Sequence, residues 1–116
     1  MPHRDWRFRV QDILDAITAI RTYTEGMDLE KFAADRKTVD AVLRNLVVIG
    51  EAATHIPEDI GGRHPEMPWD DMRALRNFVV HEYFGVSDAI IWDTVQRNLP
   101  ALIAPLQKIL QTEPEL

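Results

Sequence analysis

The eight residues RNFVVHEY, Arg76 to Tyr83, gather an arginine, an asparagine, a histidine and a tyrosine around an apolar Phe78-Val79-Val80 filling. Histidine is the side chain suited to moving protons near neutral pH. Arginine offers a permanent, forked charge for a phosphate that gains negative charge in a transition state. Together they suffice for RNA cleavage without a metal. The RNA supplies its own 2′-hydroxyl as nucleophile, histidine carries the protons, and arginine stabilises the pentacoordinate phosphorus.

On a helix Asn77 and His81 share one face, and Arg76 and Tyr83 another. Arg76 and His81 stand about 140° apart around the axis. They converge through the long arginine side chain, through a break near the helix end, or through a symmetry mate. A twofold dimer would bring two histidines and two arginines to one cleft, enough for both an acid and a base. By spacing alone, a histidine at a helix end and an arginine on an exposed face are usually structural residues.

Other chemistries fit less well. HEYFG opens like a zinc-protease motif, but Gly85 stands where the second histidine is needed. His3, His55, His64 and His81 lack metal-ligand spacing, so neither a metal nor a cofactor is expected. Gly61-Gly62 lacks the rest of a phosphate-binding glycine loop, and no serine lies in a nucleophile-elbow sequence.

The elements that must position the motif read as helices. Trp6, Val10, Ile13, Leu14, Ile17 and Ile20 recur at steps of three and four, one apolar helical stripe, with Gly26 placed to stop it. A short turn follows, from which Phe32 plugs the core. Asp35 or Thr38 caps a second long helix carrying Val39, Val42, Leu43, Leu46, Ile49, Ala53 and Ile56. Its run Leu46-Val47-Val48-Ile49 covers most of the helix circumference and wants cover on several sides, from its own bundle or from a partner subunit. Ile60 to Pro68 reads as a loop. A third helix starts near Pro68-Trp69-Asp70 and runs towards Tyr83, and Gly85 ends it. Ser87 caps a fourth, in which Pro100 either introduces a kink or begins a separate C-terminal piece. No alternating strand pattern and no internal repeat is present. The expected fold is all-α, an antiparallel bundle of four to five helices.

The 116 residues bound the chain to a single domain, 1–116, with a frayed tail from about 112. A net charge of −6 argues against a protein that coats nucleic acid broadly and leaves room for a focal phosphate site. The absence of cysteine excludes disulfides and thiolate metal sites. No apolar run approaches the roughly 18 residues needed to cross a bilayer, and MPHRDWRFRVQD lacks a signal-peptide core. The expected location is the cytoplasm.

Arg76-Asn77-x-x-x-His81-x-Tyr83 matches the R-x4-H-x-Y motif of HepT-like toxins in the HEPN superfamily. Asp40-Ala41-Val42, Gly50-Glu51-Ala52, Pro68-Trp69 and Leu99-Pro100 resemble that family in the expected order, so the likeness covers about residues 5 to 110. The resemblance implies a HEPN-like helical bundle that dimerises, with two motifs meeting across the interface. It also implies ribonuclease activity as the toxin of a toxin-antitoxin pair, whose antitoxin is a minimal nucleotidyltransferase similar to MntA. By this likeness Arg76 and His81 are catalytic, Asn77 is a supporting residue, and Tyr83 receives AMP from ATP. An adenylylated Tyr83 would put a bulky anion beside His81 and block RNA by sterics and like charge.

Glu51, a carboxylate in an apolar helix, either orients Arg76 or His81 or lies on a solvated face while Gly50 permits close helix packing. Trp69 and Trp92 read as core anchors. Arg4, Arg7 and Arg9 support RNA or partner binding, or simply form a charged helix face. The competing functional reading is a non-catalytic helical module, or an antidote, that docks a partner nucleotidyltransferase.

Overall fold

The computed structural model describes residues 5–82, Gly85 and 87–113; these form seven α-helices and one π-helical turn, with no strand among them. The expected all-α bundle is what the chain forms.

Helix α1 (Trp6–Thr24) starts where the Asp5 carboxylate accepts the Arg7 N–H at 2.8 Å, satisfying one of the orphan donors at a helix start. Val10, Ile13, Leu14, Ile17 and Ile20 form its buried stripe. It ends in a turn closed by Met27 N–H donating to the Thr24 carbonyl at 3.0 Å, with Gly26 at φ 76°. That left-handed value is what a type II turn requires at its third residue and what glycine adopts without strain. Helix α2 (Leu29–Ala34) then places Phe32 fully inside the core, its ring centroid 5.2 Å from that of Trp92. Phe32 therefore plugs the core as expected, from a short helix rather than a plain turn.

Helix α3 (Arg36–Thr54) is capped by Asp35, whose carboxylate accepts the Thr38 N–H at 3.1 Å and the Thr38 hydroxyl at 2.9 Å. Those two bonds hold the Asp35 carboxyl below its usual range. The helix is the centre of the bundle, packed on α1 and on α5 (Trp69–Glu82). Its own bundle thus supplies much of the cover that the four-residue apolar run demands: Leu46 and Ile49 are buried, Val47 and Val48 partly so.

The segment expected as a loop from Ile60 onwards proves partly helical, because α4 spans Glu58–Arg63. Two glycines make this a poor helix by propensity. Burial of Ile60 holds it in place, and Glu58 and Asp59 in the first turn with Arg63 in the last suit the helix dipole. In α5 the Trp69 ring is buried and its indole N–H donates to the His64 carbonyl at 3.0 Å. Tyr83, the last residue of the motif, lies outside the described residues, as does Arg4.

Ser87 caps α6 (Asp88–Asp93), its hydroxyl accepting the Ile90 N–H at 3.4 Å. A π-helical turn, Thr94–Asn98, leads into α7 (Pro100–Thr112), and Leu99 N–H donates to the Thr94 carbonyl at 3.1 Å. A proline ring clashes with the carbonyl four residues back and offers no N–H. The widened turn falls immediately before Pro100, and Leu99 keeps helical angles of −67° and −45°. Pro100 therefore opens a new helical piece without the chain leaving the helical region.

Helix α7 packs on α1, and Arg7 caps its end by donating to the Leu110 carbonyl at 2.6 Å and the Glu113 carbonyl at 3.0 Å. Arg7 is thus occupied by orphan carbonyls at a helix C-terminus. Glu113, in the stretch read as tail, has its side chain only 8% exposed. Its carboxylate accepts from Arg63 Nε at 2.8 Å and NH2 at 3.2 Å and faces His64 Nε2 at 3.1 Å.

The Arg63 bonds, aided by His64, hold the Glu113 carboxyl below its ordinary value near 4.5. A depressed carboxyl pKa contributes stability above the unfolded value, and that contribution disappears as pH falls through the folded value. Glu113→Gln should therefore lower the urea midpoint at pH 7, and the gap to wild type should close on acidification below about pH 4. A gap of constant size down to strong acid would show that charge is not its source.

Candidate active site

The site is built where α3 crosses α5. A Cβ on Gly50 would stand 2.5 Å from the Arg76 backbone nitrogen and 2.9 Å from the Arg76 Cβ. Glycine is what lets α5 lie this close, and Arg76 is the residue at the point of approach. Beside Gly50, Glu51 projects to the surface with its side chain 50% exposed. Its Oε2 is 3.4 Å from Arg76 Nε, and its Oε1 is 3.4 Å from His55 Nε2. Arg76 NH1 also donates to Asn77 Oδ1 at 3.1 Å.

Half exposure removes most of the cost that a carboxylate in an apolar helix would carry. Both considerations about this pair of residues hold together: Gly50 permits close packing, and Glu51 reaches Arg76. Of the two partners considered for Glu51, the described contacts go to Arg76 and not to His81. His81 occupies the last turn of α5, exposed, five residues beyond Arg76. The structure therefore brings Arg76, Asn77 and Glu51 together and leaves His81 apart on the same helix.

A shallow groove of about 540 Å³ runs over this crossing, lined by Glu51, Thr54, Asp70, Arg73, Arg76 and Asn77. A larger cavity of about 790 Å³ shares Thr54, Asp70 and Arg73 with it but contains none of the motif residues. Arg76 and Asn77 line the smaller one. The Arg76 side chain, 46% exposed, sets Nε against Glu51 and donates one NH1 hydrogen to Asn77; among the described residues these contacts leave the second NH1 hydrogen and those on NH2 for an anion. The opposed charge of Glu51 fixes its direction without burying it.

His55, which has no metal-ligand spacing, joins this group of side chains through Glu51. Its signal in the sequence is the four-residue step from Glu51, the helical pairing distance. Among the described residues no group of three or more histidines or acids is placed to hold a metal ion, and no helix is long and apolar enough to cross a membrane.

An all-α bundle with an exposed arginine, steadied by a glutamate from a neighbouring helix and followed five residues later by a histidine, defines the class of protein. The chain belongs to the ribonuclease HepT-like family, whose model matches residues 13–109. Over 111 residues it is 40% identical to a Methanocaldococcus jannaschii protein named "Putative RNase", covering 96% of this chain and 92% of that one. It is 39% identical over 107 residues to the "Probable ribonuclease HepT" of Thermococcus cleftensis, covering 92% and 94%. A "Putative RNase" of Caldanaerobacter subterraneus subsp. tengcongensis is 33% identical over 104 residues, covering 90% and 93%. No solved structure matches the chain.

Proposed function

We propose that this protein is a metal-independent endoribonuclease, active as a twofold dimer, in which Arg76 and His81 act on the scissile phosphate and Glu51 and Asn77 hold Arg76. The observation that carries the reading is the exposed Arg76 guanidinium fixed by Glu51 at the α3–α5 crossing, in a chain of the HepT-like family. Arg76 neutralises the phosphorane as the 2′-oxygen attacks, and two histidines from two chains account for the two proton transfers. The dimer answers the separation of Arg76 and His81 along one helix, since a symmetry-related α5 can bring the second histidine to the first arginine.

The same reading makes the chain the toxin of a cytoplasmic toxin-antitoxin pair. A minimal nucleotidyltransferase similar to MntA silences it by joining the α-phosphorus of ATP to the Tyr83 hydroxyl oxygen, with release of pyrophosphate. The added phosphodiester repels RNA from a site two residues away.

The test is the intact mass of the chain purified with and without its neighbouring gene product, each preparation assayed for RNA cleavage in the presence of a chelator beside a His81→Ala control. The expected result is a mass increase of AMP units on Tyr83 that accompanies loss of His81-dependent cleavage. A second reading, a non-catalytic docking module for the nucleotidyltransferase, is favoured by the net charge of −6, which gives no general attraction for RNA. A tight complex with that partner, no mass change and no cleavage by either preparation would replace the first reading with the second.

A further inference from the structure

The proposed reaction moves two protons, and the motif supplies one histidine per chain. His55, the C-terminal cap of α3, pairs with the same Glu51 carboxylate as Arg76. Imidazole Nε2 lies 3.4 Å from one oxygen of that carboxylate and guanidinium Nε 3.4 Å from the other, so a single carboxylate holds both groups. Both side chains are about half exposed, His55 at 48% and Arg76 at 46%, and so are open to a ligand.

The pairing decides the tautomer. A neutral imidazole nitrogen that faces a carboxylate carries the proton, which leaves Nδ1 as the lone-pair acceptor. Glu51 then holds the His55 ring in one orientation, as the carboxylate of a hydrolase triad does. The other charged groups lining the groove are Asp70 and Arg73 of α5, and these pair with each other.

We infer that His55 is a catalytic residue of the ribonuclease, the general base that takes the 2′-hydroxyl proton on Nδ1 while the scissile phosphate rests on Arg76. This rests on the ribonuclease reading above and alters one part of it: the proton acceptor is a histidine of the same chain as the arginine, in place of the second motif histidine of the dimer. As the proton passes to Nδ1, the 2′-oxygen forms its bond to phosphorus and the bond from phosphorus to the 5′-oxygen breaks. The leaving 5′-oxygen takes a proton from the imidazolium of His81. The products are a 2′,3′-cyclic phosphate and a 5′-hydroxyl, and water returns both histidines to their starting protonation.

The experiment is the pH profile of cleavage, between about pH 5 and 9, of a short single-stranded RNA carrying a fluorophore and quencher, with wild type, His55→Ala and His55→Gln. Both variants should cleave about 100-fold more slowly or worse and lose the acidic limb of the profile, and added imidazole should restore part of the rate of His55→Ala. Glutamine keeps an N–H donor for Glu51 but cannot take the proton. Wild-type activity in His55→Gln would reduce His55 to a prop for Glu51 and overturn the inference, as would an intact acidic limb in either variant. Because glutamine preserves size and hydrogen bonding, its result stands even where alanine unfolds the chain. An inactive wild type would bring down the ribonuclease reading and this inference together, whereas an active wild type matched by His55→Gln removes the inference alone.

Discussion

Replacing Arg76 with alanine should abolish RNA cleavage, by about a thousandfold or more, while leaving the fold intact. The rate expectation follows from what the guanidinium is placed to do. Removal of one preorganised donor to a developing oxyanion typically costs 10²–10³ in rate, and removal of an arginine from a phosphoryl centre about 10³–10⁵. The expectation of intact folding follows from the crossing. It is the backbone and Cβ of Arg76 that pack against Gly50, and alanine retains both. The charged end is half exposed and bridges only to Glu51 and Asn77, contacts of the surface class that contribute little to stability. Arg76→Lys keeps the charge but loses the planar fork, so it should recover a minor part of the rate. Single-turnover cleavage beside circular dichroism and a urea melt would check both halves. Normal cleavage by a folded Arg76→Ala protein would remove Arg76 from the chemistry.

Gly50→Ala is the second large effect, and here two opposing terms must be weighed. Alanine is the better helix former by about 1 kcal/mol. Its methyl group, however, would meet the Arg76 backbone nitrogen at 2.5 Å, the Cβ at 2.9 Å and the Cα at 3.1 Å. These are not the ends of flexible side chains that can swing aside, so one helix must move. Overpacking of this kind costs about 1–3 kcal/mol, and contact with backbone puts it at the upper end. The net expectation is a loss of about 1–2 kcal/mol, read as a lower urea midpoint. Separation of α3 from α5 also draws Glu51 away from Arg76, and a misplacement of about 1 Å in a catalytic group can cost 10²-fold in rate. A stabilised, fully active Gly50→Ala protein would mean that the helices cross more loosely than described.

Much of this arrangement was legible in the residues, and the parts that were not share a cause. The stripes of α1 and α3 follow from steps of three and four, because an apolar face must be buried whatever it packs against. The caps at Asp35 and Ser87 are local chemistry and so were visible locally. Helices α2 and α4 are six residues each, too short to show a period, and α4 contains Gly61 and Gly62. What holds them is the burial of Phe32 and Ile60 by other elements, which no local pattern records. The motif residues Arg76, Asn77 and His81 could be picked out, but the contact that steadies Arg76 comes from another helix. In the sequence, Gly50-Glu51 carries two separate explanations. The crossing shows one: the glycine brings α5 in, and the glutamate beside it is thereby at hand for Arg76. His55 lacks metal-ligand spacing, and its one sequence signal is the four-residue step from Glu51.

The π-helical turn ahead of Pro100 has a meaning in phase. Ile91, Val95 and Leu99 are all buried and are spaced by four and four. In an α-helix each step of four overshoots a full turn by about 40°, so two in succession would swing Leu99 well off the face set by Ile91. A turn closed between residues five apart holds more residues per revolution than an α-turn and absorbs that overshoot. Beyond it, Leu102, Leu106 and Ile109 resume steps of three, four and three from Leu99 and are buried in turn. The turn thus acts as a one-residue vernier: α6 and α7 are two helices of different register spliced so that both present the same face to the core, and the residue that would otherwise be supernumerary is taken up beside the proline that cannot continue the α-ladder.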